Sequence, residues 1–154
     1  MIEQIRLPKT RGHLHALAEL ARTKENVPPI AKLIGFDLVK VELGQALFEM
    51  QTGPEHANPM GTMHGGIFCD LGDAAMGMAM ATTLEDDESF TTLDLNAKYF
   101  KPIWTAKLRA SARVTKRTKS LGLIECDITD ENGSLAAKLF STCMVLRGGE
   151  AKGR

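Results

Sequence analysis

Asn58-Pro59-Met60-Gly61-Thr62-Met63-His64-Gly65-Gly66-Ile67-Phe68-Cys69-Asp70-Leu71-Gly72-Asp73-Ala74, continuing to Leu84, is where the chain changes character. Upstream, Gly53, Pro54, Asn58, Pro59 and Gly61 mark residues 53–62 as a loop. From Met63 to Leu84 the pattern predicts one long helix. Ile67, Phe68, Leu71, Ala74, Ala75, Met78, Met80 and Ala81 cover most of its circumference, which predicts burial on nearly all sides rather than on one stripe. Something must wrap such a helix.

The flanking sequence supplies the wrapper. Phe36, Leu38 and Val41, then Ala46, Phe48 and Met50, predict two short strands joined at Gly44. After the helix come strand-like runs at Thr92 to Phe100, Ala106 to Thr115, Leu121 to Thr129 and Leu135 to Met144. They are broken at Lys101-Pro102, at Thr118 to Ser120, and at a turn containing Asn132-Gly133, a strong hairpin signal. A hairpin, an apolar helix and four further antiparallel strands make an α+β plan, a curved antiparallel sheet around one central helix. Leu14, Leu17, Ala18, Leu20 and Ala21 add an N-terminal helical arm that Pro28-Pro29 is expected to close. A single domain over 1–154 is expected, with the arm at 1–34, the core at 35–146, and a glycine-rich, charged, frayed tail at 147–154.

Composition narrows the function classes. The 19 Lys+Arg balance the 19 Asp+Glu, so no nucleic-acid partner is expected. Cys69, Cys126 and Cys143 are odd in number and include no Cys-x-x-Cys pair, which argues against a disulfide framework or a zinc knuckle. No metal and no cofactor is expected. The start Met1-Ile2-Glu3-Gln4 lacks the pattern of a secretory signal, and the uncharged run Ala74 to Leu84 is far short of the ~20 residues of a membrane helix. The expectation is a soluble cytoplasmic protein without a membrane partner.

Two features carry chemistry. Gly65 and Gly66 open the helix, where free amides at its positive end can receive an anion or a developing oxyanion; close helix–sheet packing is the other reading. Asp73 stands among Leu71, Ala74, Ala75 and Met76, and a buried carboxylate must either be paired or be kept for reaction. Asp70, a turn earlier, competes with it but is better suited to dipole duty near the helix start. The eight residues from Gly65 to Asp73 span about 12 Å of helix, so one carbonyl cannot touch both within a chain. A two-fold dimer with two composite sites follows as an expectation. His64 and Asn58 are candidate helpers or simply turn formers. The chain has no Gly-x-Ser-x-Gly elbow, which leaves cofactor-free carboxylate chemistry.

Asn58, the run His64-Gly65-Gly66, and Asp73 nine residues after the histidine resemble the hotdog-fold acyl-CoA thioesterases of the phenylacetate-degradation type, over roughly Gly35 to Leu146. The resemblance implies a five- or six-stranded antiparallel sheet around the helix, a homodimer and often a homotetramer, and hydrolysis of acyl-CoA at the dimer interface. By position it makes Asp73 nucleophile or general base, Gly65 the amide that polarises the thioester carbonyl, Asn58 an orienting group for water or carbonyl, and His64 a support for the loop. Thr92 matches a Ser/Thr that orients water beside the aspartate. Its alternation with Asp94, Asn96 and Lys98 places it on the polar face of its strand, so reaching Asp73 needs a bend.

For the substrate, Lys98, Lys101, Arg117 and Lys119 are the basic residues that could meet CoA phosphates, and Gly66, Met60, Met63 and Phe68 could line the acyl site. An acyl-CoA-binding sensor without chemistry, a dehydratase or hydratase using a His64/Asp73 pair, and a structural dimerisation domain are the competing readings.

Overall fold

The computed structural model describes residues 12–24 and 27–152. In chain order the elements are α1 (Gly12–Thr23), α2 (Pro29–Ile34), β1 (Phe36–Glu42), β2 (Gln45–Gln51), α3 (Gly65–Ala81), β3 (Glu88–Tyr99), β4 (Lys107–Arg117), β5 (Leu121–Thr129) and β6 (Leu135–Arg147). All six strands join one antiparallel sheet in the order β1-β2-β4-β5-β6-β3, and α3 packs against it. This is the helix-wrapped sheet the sequence predicts, the hotdog fold.

Polar groups set the limits of α3. The His64 ring caps its start, with Nδ1 accepting the Gly66 amide at 2.9 Å. At the other end the Thr82 and Thr83 hydroxyls donate to the carbonyls of Ala79 and Met80 at 2.7 Å each, satisfying acceptors the helix leaves open. The helix is therefore shorter at both ends than the apolar run. Thr82 Oγ1 also accepts the Gly44 amide at 2.7 Å, tying the helix end to the β1–β2 turn, where Gly44 has φ 71°.

Leu71, Ala75, Met76, Ala79 and Met80 have no exposed surface and face the sheet. Each of the larger ones contributes about 1.5–3 kcal/mol through burial. Gly72 lets the helix approach β6 closely: a Cβ there would lie 2.6 Å from Leu139 Cδ2. The opposite side of α3 is not wrapped, against expectation. Asp70 and Asp73 are exposed, and Ile67, Ala74, Gly77, Met78 and Ala81 are only partly covered, so an open stripe runs the length of the helix.

Other differences have local causes. β3 pairs with β6, not with its successor β4, because residues 100–106, including Pro102, form no tight turn. That segment bonds to the loop before α3 through Met63 N–H to Ile103 O at 2.6 Å. Pro29 closes nothing; it opens α2 at a position where a missing N–H costs no bond. The last strand extends to Arg147, and Gly148–Ala151 is a 3₁₀ turn rather than a frayed tail. Among the described residues no helix is long and apolar enough to cross a membrane.

Candidate active site

The first turn of α3 is an assembled donor site. Pro54–His56 forms a 3₁₀ turn whose buried His56 accepts the Gly53 amide at Nδ1 (3.1 Å), which leaves Nε2 to donate to the Ile34 carbonyl at 2.8 Å. The His56 carbonyl in turn accepts the His64 amide at 2.8 Å, so the loop is fixed on both flanks. Asn58 is spent locally: its side chain accepts the Met60 amide and donates to Thr62 Oγ1, both at 2.9 Å. With Gly66 N–H taken by His64, the Gly65 N–H is left without a partner among the described residues, at the positive end of α3.

Tyr99, at the end of β3, fixes this turn. Its hydroxyl donates to the Gly65 carbonyl at 3.1 Å and sits 3.4 Å from Cys69 Sγ. The hydrogen bond with Cys69, helped by burial, pushes the Tyr99 phenol up to about 12. A Cβ on Gly65 would meet that hydroxyl at 3.2 Å, a contact the Tyr99 side chain must yield to by a few tenths of an ångström. Met63, Gly65, Phe68, Tyr99, Phe100 and Lys101 are among the residues around a recess of about 350 Å³ at this end of the helix.

Asp73 lies two turns further on, outside that recess, on the open stripe. Thr92 Oγ1 donates to its Oδ1 at 3.4 Å. The bend this requires is a β-bulge: Thr92 stands opposite Cys143 and Asp94 opposite Thr142, leaving Leu93 as the extra residue. Cys143 is buried, so Thr92 faces the helix with it, while beyond the bulge Asp94 and Asn96 face outward. Asp73 is thus exposed on the isolated chain rather than buried as the sequence suggests. Even so, the surrounding helix and strand desolvate the carboxyl enough to raise its pKa above the ordinary aspartate value. The Thr92 hydrogen bond opposes the rise and the negative charge of Asp70 adds to it.

The expected substrate contacts divide. Gly66, Met63 and Phe68 belong to the first turn and its loop, whereas Met60 sits at the loop tip, 82% exposed. Lys98 and Lys119 are exposed, and Lys101, at the recess, pairs with Asp130. Arg117 does not fit a phosphate-binding role. Its guanidinium is buried at 2.7 Å from Glu88, which also pairs with Arg147. Burial alone would raise the Glu88 carboxyl, but the Glu85 amide and the two guanidiniums outweigh it and hold the group below the usual range. The cluster ties β3, β4 and β6 together at the end of the sheet and is structural. His56 and Tyr99 escape sequence reasoning. A histidine in a Gly/Pro loop and an aromatic at a strand end carry no local signal of the bonds they make.

Known proteins place the chain. Residues 60–137 match the family model described as the thioesterase superfamily. The 1,4-dihydroxy-2-naphthoyl-CoA hydrolase of Listeria monocytogenes is 29% identical over 116 residues, 75% of this chain and 93% of that protein. Acyl-coenzyme A thioesterase 13 of Mus musculus is 31% identical over 124 residues, 75% of this chain and 88% of that one. In fold, the structure of the E. coli PaaI protein from the phenylacetic acid degradation operon superposes with a TM-score of 0.77 at 20% identity, covering 91% of this chain and 99% of that one. Taken with the donor turn and the carboxylate on the central helix, these matches establish that the chain belongs to the thioesterase superfamily and is a thioester hydrolase of hotdog fold.

Proposed function

We propose that this protein hydrolyses acyl-CoA to free acid and CoA in a site shared by two copies of the chain, with Asp73 from one copy and the Gly65 amide from the other. The observation that carries the proposal is the placement of a desolvated carboxylate and a partnerless helix-start amide on one helix, about 12 Å apart. Two helices meeting antiparallel across a two-fold axis bring each Asp73 to the other copy's Gly65. The long edge strand β3, which carries Thr92 beside the open stripe of α3, is a natural seam for that pairing. A further pairing of dimers makes a homotetramer.

In this arrangement the thioester oxygen points at the Gly65 N–H, which stabilises the negative charge that develops when the carbonyl carbon is attacked. Asp73 drives the attack, either by bonding to the carbon itself or by taking a proton from water as its hydroxyl adds. Collapse breaks the C–S bond, and CoA leaves as the thiolate, to be protonated on release. On the direct route the acyl group stays on Asp73 as an anhydride, which water then cleaves to free acid and the regenerated carboxylate. Thr92 holds Oδ1 and leaves the second carboxylate oxygen free. His64, through the helix cap, and Asn58, through the turn, are positioning residues for the amide. Lys98, Lys101 and Lys119 are the basic residues left for the phosphates of CoA. The core 35–146 carries the chemistry in one domain with the arm 1–34. The three free thiols support a cytoplasmic location.

The test is CoA release from short, medium, long and aromatic acyl-CoAs by the wild type and by Asp73→Asn. The expected outcome is hydrolysis by the wild type and a loss of about 10³-fold in kcat/KM in the variant. Binding of acyl-CoA with no release across the panel would replace the enzyme with a sensor.

A further inference from the structure

An apolar cavity of about 260 Å³ lies on the side of α3 away from β3, under the N-terminal arm. Ala74 and Met78 of α3 form one wall, Leu20 and Val27 of the arm another, and Phe36 and Phe48 the floor, packed edge to face with centroids 5.8 Å apart. The charged residues at this cavity, Lys24 and Asp37, pair with each other at 3.6 Å and are largely exposed, so they balance one another at its margin. The cavity is partly open at that margin, so its apolar lining meets solvent and forgoes the contacts that an apolar occupant would make. Its position matters: Ala74 directly follows Asp73, and Met78 lies one turn beyond on the same open stripe.

We infer that this cavity receives the acyl tail of the substrate, which makes the protein selective for medium-length aliphatic acyl groups. The inference deepens the proposed function and rests on it. A carbonyl carbon held at Asp73 can send its chain across the open stripe, past Ala74, and under the arm. A cavity of about 150 Å³ accepts a six-carbon ring, so this one scales to roughly ten carbons. The arm then has a function: Leu20 of α1, Val27 and the start of α2 cover a pocket that the sheet and central helix alone would leave as an open groove.

The experiment uses the full chain and saturated acyl-CoAs of increasing length, with Leu20→Trp to fill the cavity and Met78→Ala to enlarge it, each checked for cooperative unfolding. For the wild type kcat/KM should rise about fourfold per added methylene up to roughly ten carbons and then level. Leu20→Trp should cut the decanoyl-to-butyryl ratio by about tenfold or more, and Met78→Ala should move the levelling point to longer chains. Calorimetry with decanoate, which needs no catalysis, should detect binding to the wild type and its loss in Leu20→Trp. Hydrolysis with the same chain-length profile in all three proteins would overturn the pocket and leave the thioesterase proposal standing. Absence of any acyl-CoA hydrolysis would remove that proposal, and calorimetry would still decide the cavity: decanoate bound and then displaced by the tryptophan supports it, and no binding to the wild type rejects it.

Discussion

The first turn of α3 and the turn that carries Asp73 are built by opposite means. At the first turn polar groups are fixed by hydrogen bonds to their neighbours. His64 takes the Gly66 amide, Asn58 closes the turn, Tyr99 holds the Gly65 carbonyl, and one N–H is left over. At Asp73 a charge is held with little support, one hydroxyl at 3.4 Å, while desolvation and Asp70 work against ionisation. The separation has a physical use. A carboxylate in the first turn would be stabilised by the helix dipole and would itself occupy the free amide. Moved two turns along, it keeps its raised pKa, and the amide stays open. In the proposed two-chain site each end supplies half of the reaction, and a second copy of the helix completes it.

The strongest way to break this comparison is to remove the amide without touching the helix. Gly65 is the first helical residue, and His64 before it has φ −62° and ψ 136°, a conformation that proline permits in its predecessor. Gly65→Pro therefore deletes one N–H at a position where helices accept proline. It should lower kcat by about 10²–10³-fold, the cost of losing an oxyanion donor. Gly65→Ala keeps the N–H but meets Tyr99 in the same way, so activity well above that of the proline variant separates the amide from crowding.

Mixing tests whether the two ends belong to different chains. Asp73→Asn and Gly65→Pro homodimers should both be inactive. A heterodimer of the two places an intact Asp73 opposite an intact Gly65 in one of its two sites. Random reassortment of equal amounts should recover about a quarter of wild-type activity, since half the dimers are mixed and half their sites are whole. No recovery despite subunit exchange, followed by mass spectrometry of the mixed species, would place both groups in one chain's site.

Thr92→Val sharpens the Asp73 end. The hydroxyl stabilises the ionised carboxylate, so its removal should raise the Asp73 pKa further. Activity that needs the carboxylate falls as pH drops through that pKa, and the acid limb of the kcat/KM profile should move to higher pH in the variant. The accompanying loss should be largest on the acid limb and shrink as pH rises above it. An acid limb that stays in place would mean the limb reports another group.

How far these features could be read from the sequence depends on whether their causes are local. The apolar run after His64 and the Gly44 and Asn132-Gly133 turns are local, and the helix and the hairpins follow from them, whereas the burial expected of Asp73 depends on which strands flank α3 and does not hold. Thr92 shows the limit. Counting by twos through Asp94, Asn96 and Lys98 puts it on the outer face, and only the pairing with β6 reveals that Leu93 is an insertion that reverses the parity. Arg117 fails for a similar reason: nothing near it in sequence indicates that Glu88 and Arg147 converge on it across three strands. Pro29 misleads because proline both ends and begins helices, and local sequence does not decide which.

The smallest expected effect separates function from stability at Asp73. Its pKa is raised in the folded protein, so the fold prefers the protonated form, and the unfolded chain ionises near the ordinary ~3.9. The ionised carboxylate therefore costs stability above the folded pKa. That cost fades as pH falls through the window between the two values and is gone below the unfolded one. Asparagine has the same shape without the charge. Asp73→Asn should melt about 1–2 °C above the wild type at pH 7, and the two should converge at about pH 3 to 4. A variant less stable than the wild type at neutral pH would show that Asp73 holds the helix against β3. One that is more stable and inactive would show that the carboxylate is kept for chemistry, against the preference of the fold.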